Sequence, residues 1–188
     1  MALDATDIRV GGNTRIYLAP LSTVFPAWDT DPADPWIDLG YVTTDGVSFN
    51  FGREINEIYA MQSAEPVRTI NTRLPKTVGF NLMQSGRDQF LVAMGGGTWT
   101  AEGSETDVYR YEPADVGATD ERALIVEMED GGNIYRWHFK RTQNREGIEF
   151  AYQREDAATF AVTMAVLAPQ DDSKPFYLVS NDPALAAA

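Results

Sequence analysis

The chain has 188 residues, of which 44% are hydrophobic and 23% charged, and this is enough for one folded domain with a sizeable core. Its 28 acidic and 15 basic residues give a net charge of −13. That balance argues against tight binding to nucleic acid or to anionic membranes, because both depend on clustered Lys and Arg. The absence of cysteine excludes disulfides, thiolate metal sites and cysteine nucleophiles.

The N-terminal sequence predicts an arm over residues 1–13, followed by a single domain. The arm is polar and ends in Gly11 and Gly12. It lacks the basic and apolar blocks of a secretory signal, and no apolar run in the chain approaches the ~20 residues of a membrane span. We therefore expect a cytoplasmic protein without membrane contact. The stretch TRIYLAP then predicts a first strand, and the proline-rich residues 21–35 predict a loop.

Two long strands are predicted next, at about residues 46–58 and 67–83. In the first, Val47, Phe49 and Phe51 alternate with polar residues, and Asp45-Gly46 is a turn signal. In the second, Pro75 indicates a bend, a bulge or an unpaired edge position. The segment 56–66 between them interrupts the pattern.

A helix is predicted near residues 85–94, where Ser85 can cap the first turn and Gly95 can end the last. The second half is again rich in strands. The predicted strands RALIVEMED and NIYRWHFKRT are joined by Asp-Gly-Gly-Asn, a strong hairpin signal. Two further strands, GIEFAYQRED and ATFAVTMAVLAP, are predicted after them. We place the domain at residues 14–178 and a weakly structured tail at 179–188. The predicted fold is mainly β, a sandwich or small barrel with one flanking α-helix.

Three of the long strands share an unusual non-core face, on which the side chains are small and uncharged. Solvent faces of strands commonly carry Lys, Glu and Arg. This pattern fits either a covered sheet or a sheet that faces a confined, water-filled space, and the pattern alone does not choose between them. The residues are Ser48, Asn50, Thr77, Gly79, Asn81, Thr159, Ala161, Thr163 and Ala165.

No motif in the chain makes a case for an enzyme, a metal site or a cofactor. The single histidine, His138, lies in an aromatic strand, where a structural role is the better interpretation. The glycines 95–97 lack the Lys-Ser/Thr of a phosphate loop. The aspartates in WDTDPADP lack the glycine and distal glutamate of a calcium loop, and paired glutamates are merely common in an acidic chain.

The order of segments resembles a known family. RIYLAP (15–20), DLGYVTTDGVSF (38–49) and MQSAEPVRT (61–69) come in succession, followed by TVGFNL and a helix. This arrangement resembles the major tail tube protein of long-tailed, non-contractile bacteriophages. The resemblance is carried by the first half of the chain, and the second half agrees only in general layout.

The resemblance implies a structural virion protein, assembled in the host cytoplasm, whose hexameric rings stack into the tail tube. Each subunit would lend four long strands to one 24-strand inner β-barrel, through which the genome passes during ejection. The implied partners are further copies of the chain, a tape measure protein and a tail terminator. Duplex DNA would pass without tight binding, and no cofactor, metal or membrane is implied.

Within this interpretation, the nine small residues of the three strands are predicted to face the DNA channel. The hairpin tip around 56–66 is predicted to reach the neighbouring ring, with Tyr59 and Met61 as apolar anchors. The basic residues that cluster near the ends of the long strands are expected at subunit and ring contacts, and they are Arg53, Arg68, Arg73, Lys76, Lys140, Arg141 and Arg145. The full set predicted for contacts between rings or subunits is Glu57, Tyr59, Met61, Glu65, Arg68, Arg73 and Arg145.

Three alternatives stay open at this stage. One is the related tube protein of a contractile or secretion machine, which shares the fold. Another is a monomeric β-sandwich that binds carbohydrate or another small ligand on a platform of Trp28, Trp36 and Trp99. The last is an esterase-like enzyme that uses His138.

Overall fold

The structure, a computed structural model, describes residues 8–103, 107–148, 150, 152, 154 and 157–186. Within those residues the chain forms twelve strands, one helix and one short 3₁₀ turn at Pro183–Leu185. The mainly β fold with one flanking helix is therefore confirmed. The elements are β1 (Asn13–Pro20), β2 (Ile37–Asp38), β3 (Val42–Phe51), β4 (Glu54–Tyr59), β5 (Pro66–Arg73), β6 (Lys76–Leu82), α1 (Arg87–Ala93), β7 (Thr98–Ala101), β8 (Tyr109–Glu112), β9 (Glu121–Asp130), β10 (Asn133–Asn144), β11 (Phe160–Val166) and β12 (Phe176–Ser180).

Eight strands form one antiparallel sheet in the order β2-β1-β9-β10-β11-β6-β3, with β12 paired to β10. Strand β10 has β9 along one edge and two partners in succession along the other. This second edge pairs with β12 over Tyr135–Phe139 and with β11 over Thr142–Asn144. The register against β9 shifts between those two stretches, and such an irregularity bends a strand. The sheet thus wraps around one core.

The main core lies between the β1-β9-β10 wall and the β11-β6-β3 wall. The apolar halves of the alternating strands supply it, and Val92 and Ala93 of α1 close one end. Asn144 ties the helix to β10 by donating its side-chain amide to the carbonyls of Val92 and Ala93, at 3.2 and 2.9 Å. The side chains most completely buried include Phe139, Phe160, Leu39, Leu82 and Met164.

The predicted cap of the helix is wrong. The helix begins at Arg87 with Gly86 as its N-cap, and no side chain caps it. Gln89 explains the use of glycine there, because a Cβ on Gly86 would stand 2.5 Å from the Gln89 amide oxygen. The same amide donates to the carbonyl of Leu39 at 3.0 Å, so it is held over the start of the helix.

The proline-rich loop packs on the outer face of the β1-β9-β10 wall. Its Phe25 joins a second apolar cluster with Tyr17, Trp36 and Ile125. Arg136, only 2% exposed, pairs with Glu127 at 2.5 Å and donates to the carbonyls of the loop residues Ala27 and Thr30. A buried guanidinium satisfied in this way fixes the loop to the sheet.

The second half confirms the hairpin at residues 130–133, where Gly131 and Gly132 take positive φ angles of 59° and 88°. The strand expected at GIEFAYQRED lies largely outside the described residues. Strand β12 extends to Ser180, two residues into the predicted tail. After it, Asp182 forms an ion pair with Arg9 at 2.6 Å, so part of the predicted arm is tied to the C-terminal segment.

Candidate functional site: a neutral sheet face and an exposed hairpin

The small, uncharged residues of three strands lie on one face of the sheet. Strands β3, β6 and β11 are neighbours, and residues directly opposite each other in antiparallel strands share a face. One row joins Thr163, Gly79 and Ser48, and the next joins Ala165, Thr77 and Asn50. Asn81 opposes Ala161 in a further row. We call this set of eight residues the neutral face.

The neutral face is accessible in the single chain except at one corner. Ser48, Asn50 and Ala161 are exposed, and Asn81 and Thr163 are half-buried. Ala165 is an exception because it is buried, lying between Thr77 and Gln143 of the adjacent strands. Ala165 is therefore assigned to the neutral face because it pairs with Thr77 in the same row, and not because its own side chain is exposed.

Gly79 is fixed by its neighbour across the sheet. A Cβ at this position would stand 2.8 Å from the Ser48 hydroxyl oxygen. That hydroxyl donates to the Gly79 carbonyl at 3.3 Å. The absence of a Cβ at Gly79 thus lets the Ser48 side chain lie against the Gly79 backbone. As a result, no long side chain projects from the centre of the neutral face.

At two edges the neutral face differs from the set of residues predicted from the sequence. Thr159 lies one residue before β11, so strand pairing does not assign it to the face. Gln143 opposes Ala165 from β10 and extends the face to a fourth strand, which the sequence prediction missed. The only signal in the sequence was the polar run of Thr142, Gln143 and Asn144 at the end of the strand.

The second feature is a hairpin of β4 and β5, which we call the assembly hairpin (residues 54–73). It continues β3 and β6 past a break, where Gly52 donates its N–H to the carbonyl of Pro75 at 2.8 Å. This break coincides with Pro75, where the sequence predicts a bend, a bulge or an unpaired edge position. The hairpin forms a separate two-stranded sheet, and every one of its strand residues is exposed. Its tip is shorter than predicted, because both strands persist to Tyr59 and Pro66.

Both faces of the assembly hairpin carry exposed apolar side chains. Ile55 and Tyr59 share one face, where the Tyr59 hydroxyl donates to the Glu57 carboxylate at 2.6 Å. Ile58 and Ile70 project from the other face. At the tip, Met61 is 100% exposed. An isolated two-stranded hairpin is marginal in water, and exposed apolar clusters of this kind are typical of interaction surfaces.

The predicted contact residues divide between two places. Glu57 and Tyr59 lie on β4, Arg68 and Arg73 on β5, and Met61 and Glu65 in the tip. Arg145 lies outside the assembly hairpin that holds the other six, because its backbone N–H donates to the carbonyl of Thr163 at 3.5 Å. It therefore lies beside the middle of β11, at the edge of the neutral face.

Two basic residues expected at contacts are already paired inside the subunit. Arg141 forms a bidentate pair with Glu121, at 2.6 and 2.7 Å, and this pairing lowers the pKa of Glu121. Lys140 donates to Ser173 at 2.5 Å and lies 3.4 Å from Asp171. By contrast, Arg73 only approaches Glu54 of its own hairpin, at 3.9 Å.

The alternative sites find no support in the geometry. His138 is 1% exposed, and neither ring nitrogen has a hydrogen-bond partner among the described residues, so no triad forms there. The tryptophan platform does not assemble, since Trp36 is buried against Phe25 while Trp99 packs on Phe90.

The same burial gives His138 a pH-dependent effect on stability. Desolvation, together with the charge of Arg136, lowers its pKa to about 4, whereas an unfolded histidine titrates near ~6.5. Between these values the unfolded chain binds more protons, so stability falls as the pH drops. We expect the free energy of unfolding to fall by about 3 kcal/mol more in the parent protein than in His138→Phe between pH 7 and pH 4. Urea unfolding of both proteins across that range measures this difference, and parallel curves would contradict it.

Within the described ranges, no three His, Asp or Glu side chains are grouped so that they could hold a metal ion. No helix in the same ranges is long and apolar enough to cross a membrane.

The family model described as phage tail tube protein matches residues 1–188. No curated protein matches the chain.

Proposed function

The chain belongs to the phage tail tube protein family, and from this premise we propose that its copies form hexameric rings that stack into a tube for genome delivery. The family assignment makes it a virion structural protein and favours the tube interpretation over a monomeric carbohydrate-binding module. In the proposed assembly, the neutral face lines the channel and the assembly hairpin joins one ring to the next.

The observation that carries this proposal is the neutral face itself. On a chain with a net charge of −13, a continuous wall of small uncharged side chains spans three paired strands. Lys or Arg on a channel wall would bind phosphates and retard DNA. A neutral wall in an acidic protein offers no such sites, so duplex DNA slides past it.

The dimensions agree with that role. With β10 contributing Gln143, four strands per subunit share the face, which gives about 24 strands in a hexamer. At a spacing of ~4.8 Å and a tilt of ~40°, these strands close into a barrel about 48 Å across between backbones. Side chains of about 5 Å on each wall leave roughly 38 Å, which exceeds the width of duplex DNA.

One charged residue lies next to the proposed wall. The backbone of Arg145 adjoins Thr163, and the proposal requires its guanidinium to turn toward acidic residues of a neighbouring subunit, away from the DNA. The proposal thus keeps Arg145 as a contact within the ring, and assigns the contacts between rings to the hairpin residues.

Electron microscopy of the purified protein tests the proposal. We expect negatively stained rings or tubes, with a mass in solution that rises with protein concentration. A protein that stays monomeric at every concentration, and whose tryptophan fluorescence is quenched by sugars, would instead support the ligand-binding module.

A further inference from the structure

We propose that the tip of the assembly hairpin (residues 60–65) docks into a groove at the opposite end of β3 in a second copy of the chain, in the next ring. This inference rests on the proposed stacking and names the surface that receives the hairpin. We call that surface the acceptor groove.

The acceptor groove has a volume of about 650 Å³. Two runs of backbone, residues 11–15 and 40–44, form its walls, and Asp38 and Gly46 complete it. Glycines keep part of the groove open. A Cβ on Gly12 or Gly46 would meet nothing within 4 Å, so space remains for an inserted segment.

The groove also has unused hydrogen-bonding capacity. Strand β1 pairs with β2 only at Tyr17 and Leu18, so no described strand pairs with residues 13–15 on that edge. An open strand edge is a template for pairing with another chain. In addition, the Thr43 hydroxyl oxygen is buried without a partner among the described residues.

The position of the groove suits a head-to-tail contact. The assembly hairpin leaves β3 and β6 at the end where Phe51 opposes Lys76. The groove lies at the other end, where Val42 opposes Leu82 and Met83 donates its N–H to the carbonyl of Tyr41. When copies stack along the direction of these strands, the hairpin of one meets the groove of the next. Such heterologous contacts propagate without limit.

The chemistry of the tip fits the groove. Apolar side chains project from both faces of the hairpin. A groove can bury the side chains of both faces at once, whereas a flat surface can bury those of only one face. Met61 and Tyr59 would lie against the exposed ring of Tyr41, which is 74% exposed. Two charged residues line the groove, Arg15 and Asp38, and Arg15 is the one that the acidic Glu57 and Glu65 near the tip would face. Inside the tip, Ser63 bonds to both the N–H and the carbonyl of Glu65, so the turn is already ordered.

Crosslinking tests this contact directly, because the chain has no cysteine of its own. Met61→Cys and Thr44→Cys are prepared as separate proteins, mixed, assembled and treated with a short bis-maleimide crosslinker. We expect covalent dimers from the mixture and none from either variant alone. The matched control mixes Met61→Cys with Val116→Cys, a fully exposed residue in the loop between β8 and β9, and should give none.

The double variant Met61→Cys/Thr44→Cys separates stacking from contacts within a ring. Docking between rings predicts a ladder of covalent products that continues beyond six subunits, whereas docking within a hexamer stops at six. Tubes that form without crosslinks, or a ladder that ends at six, would overturn the docking alone. If electron microscopy shows no tubes for any of these proteins or their parent, the proposed function fails as well.

Discussion

Deletion of residues 59–64 is expected to give a folded subunit that no longer polymerises. The assembly hairpin contributes no buried residue to its own subunit, so its loss leaves the core and the eight-stranded sheet intact. Burial of one Tyr or Met side chain contributes about 1.5–3 kcal/mol. Removal of two such anchors weakens each contact by roughly 10² to 10⁴-fold, and this loss is repeated around every ring.

Circular dichroism and urea unfolding check that the deletion variant folds, and sedimentation with electron microscopy checks assembly. Val116→Ser is the matched control, since it removes an equally exposed apolar side chain outside the hairpin and should still assemble. Tubes formed by the deletion variant would contradict a role of the hairpin in joining rings.

Lysine at the neutral face is expected to slow DNA ejection strongly. Particles that carry Asn81→Lys and Thr163→Lys would present about twelve new cations per hexameric ring to the passing DNA. Each phosphate contact adds a salt-dependent attraction. The delay should therefore be largest at low ionic strength and shrink steeply as salt is raised, which fluorescence measurement of released DNA can follow.

The controls for this prediction separate charge on the wall from charge elsewhere. Val116→Lys adds one lysine per subunit, half the charge of the double variant, in an exposed loop and should leave ejection unchanged. Urea unfolding of the subunit shows whether the two lysines disturb the fold. Ejection at the parental rate from intact particles would remove Asn81 and Thr163 from the channel wall.

The neutral face was visible in the sequence because strand alternation is local information. Val78, Phe80 and Leu82 are buried, and their alternating neighbours lie on the other side, as the period of two requires. The break at Pro75 and the turn at Gly131 and Gly132 were also local, since each follows from the backbone limits of a single residue type.

Features that depend on distant segments were not visible. The burial of Ala165 requires β10 to lie alongside β11, and the buried pair of Arg136 and Glu127 requires the proline-rich loop to fold back on the sheet. Likewise, Gly86 replaces Ser85 as the helix cap because Gln89 is held by Leu39, about 50 residues away. The acceptor groove belongs to this class too, since it joins two segments that lie far apart in the chain.

An atomic structure of the assembled tube by cryo-electron microscopy tests most directly whether the neutral face lines the channel. We expect the row of Ser48, Gly79 and Thr163 on the inner wall of the channel, with the hairpin arginines at ring contacts. A tube whose inner wall is lined by Arg68 and Arg73, with Asn81 and Thr163 covered by other side chains, would contradict it.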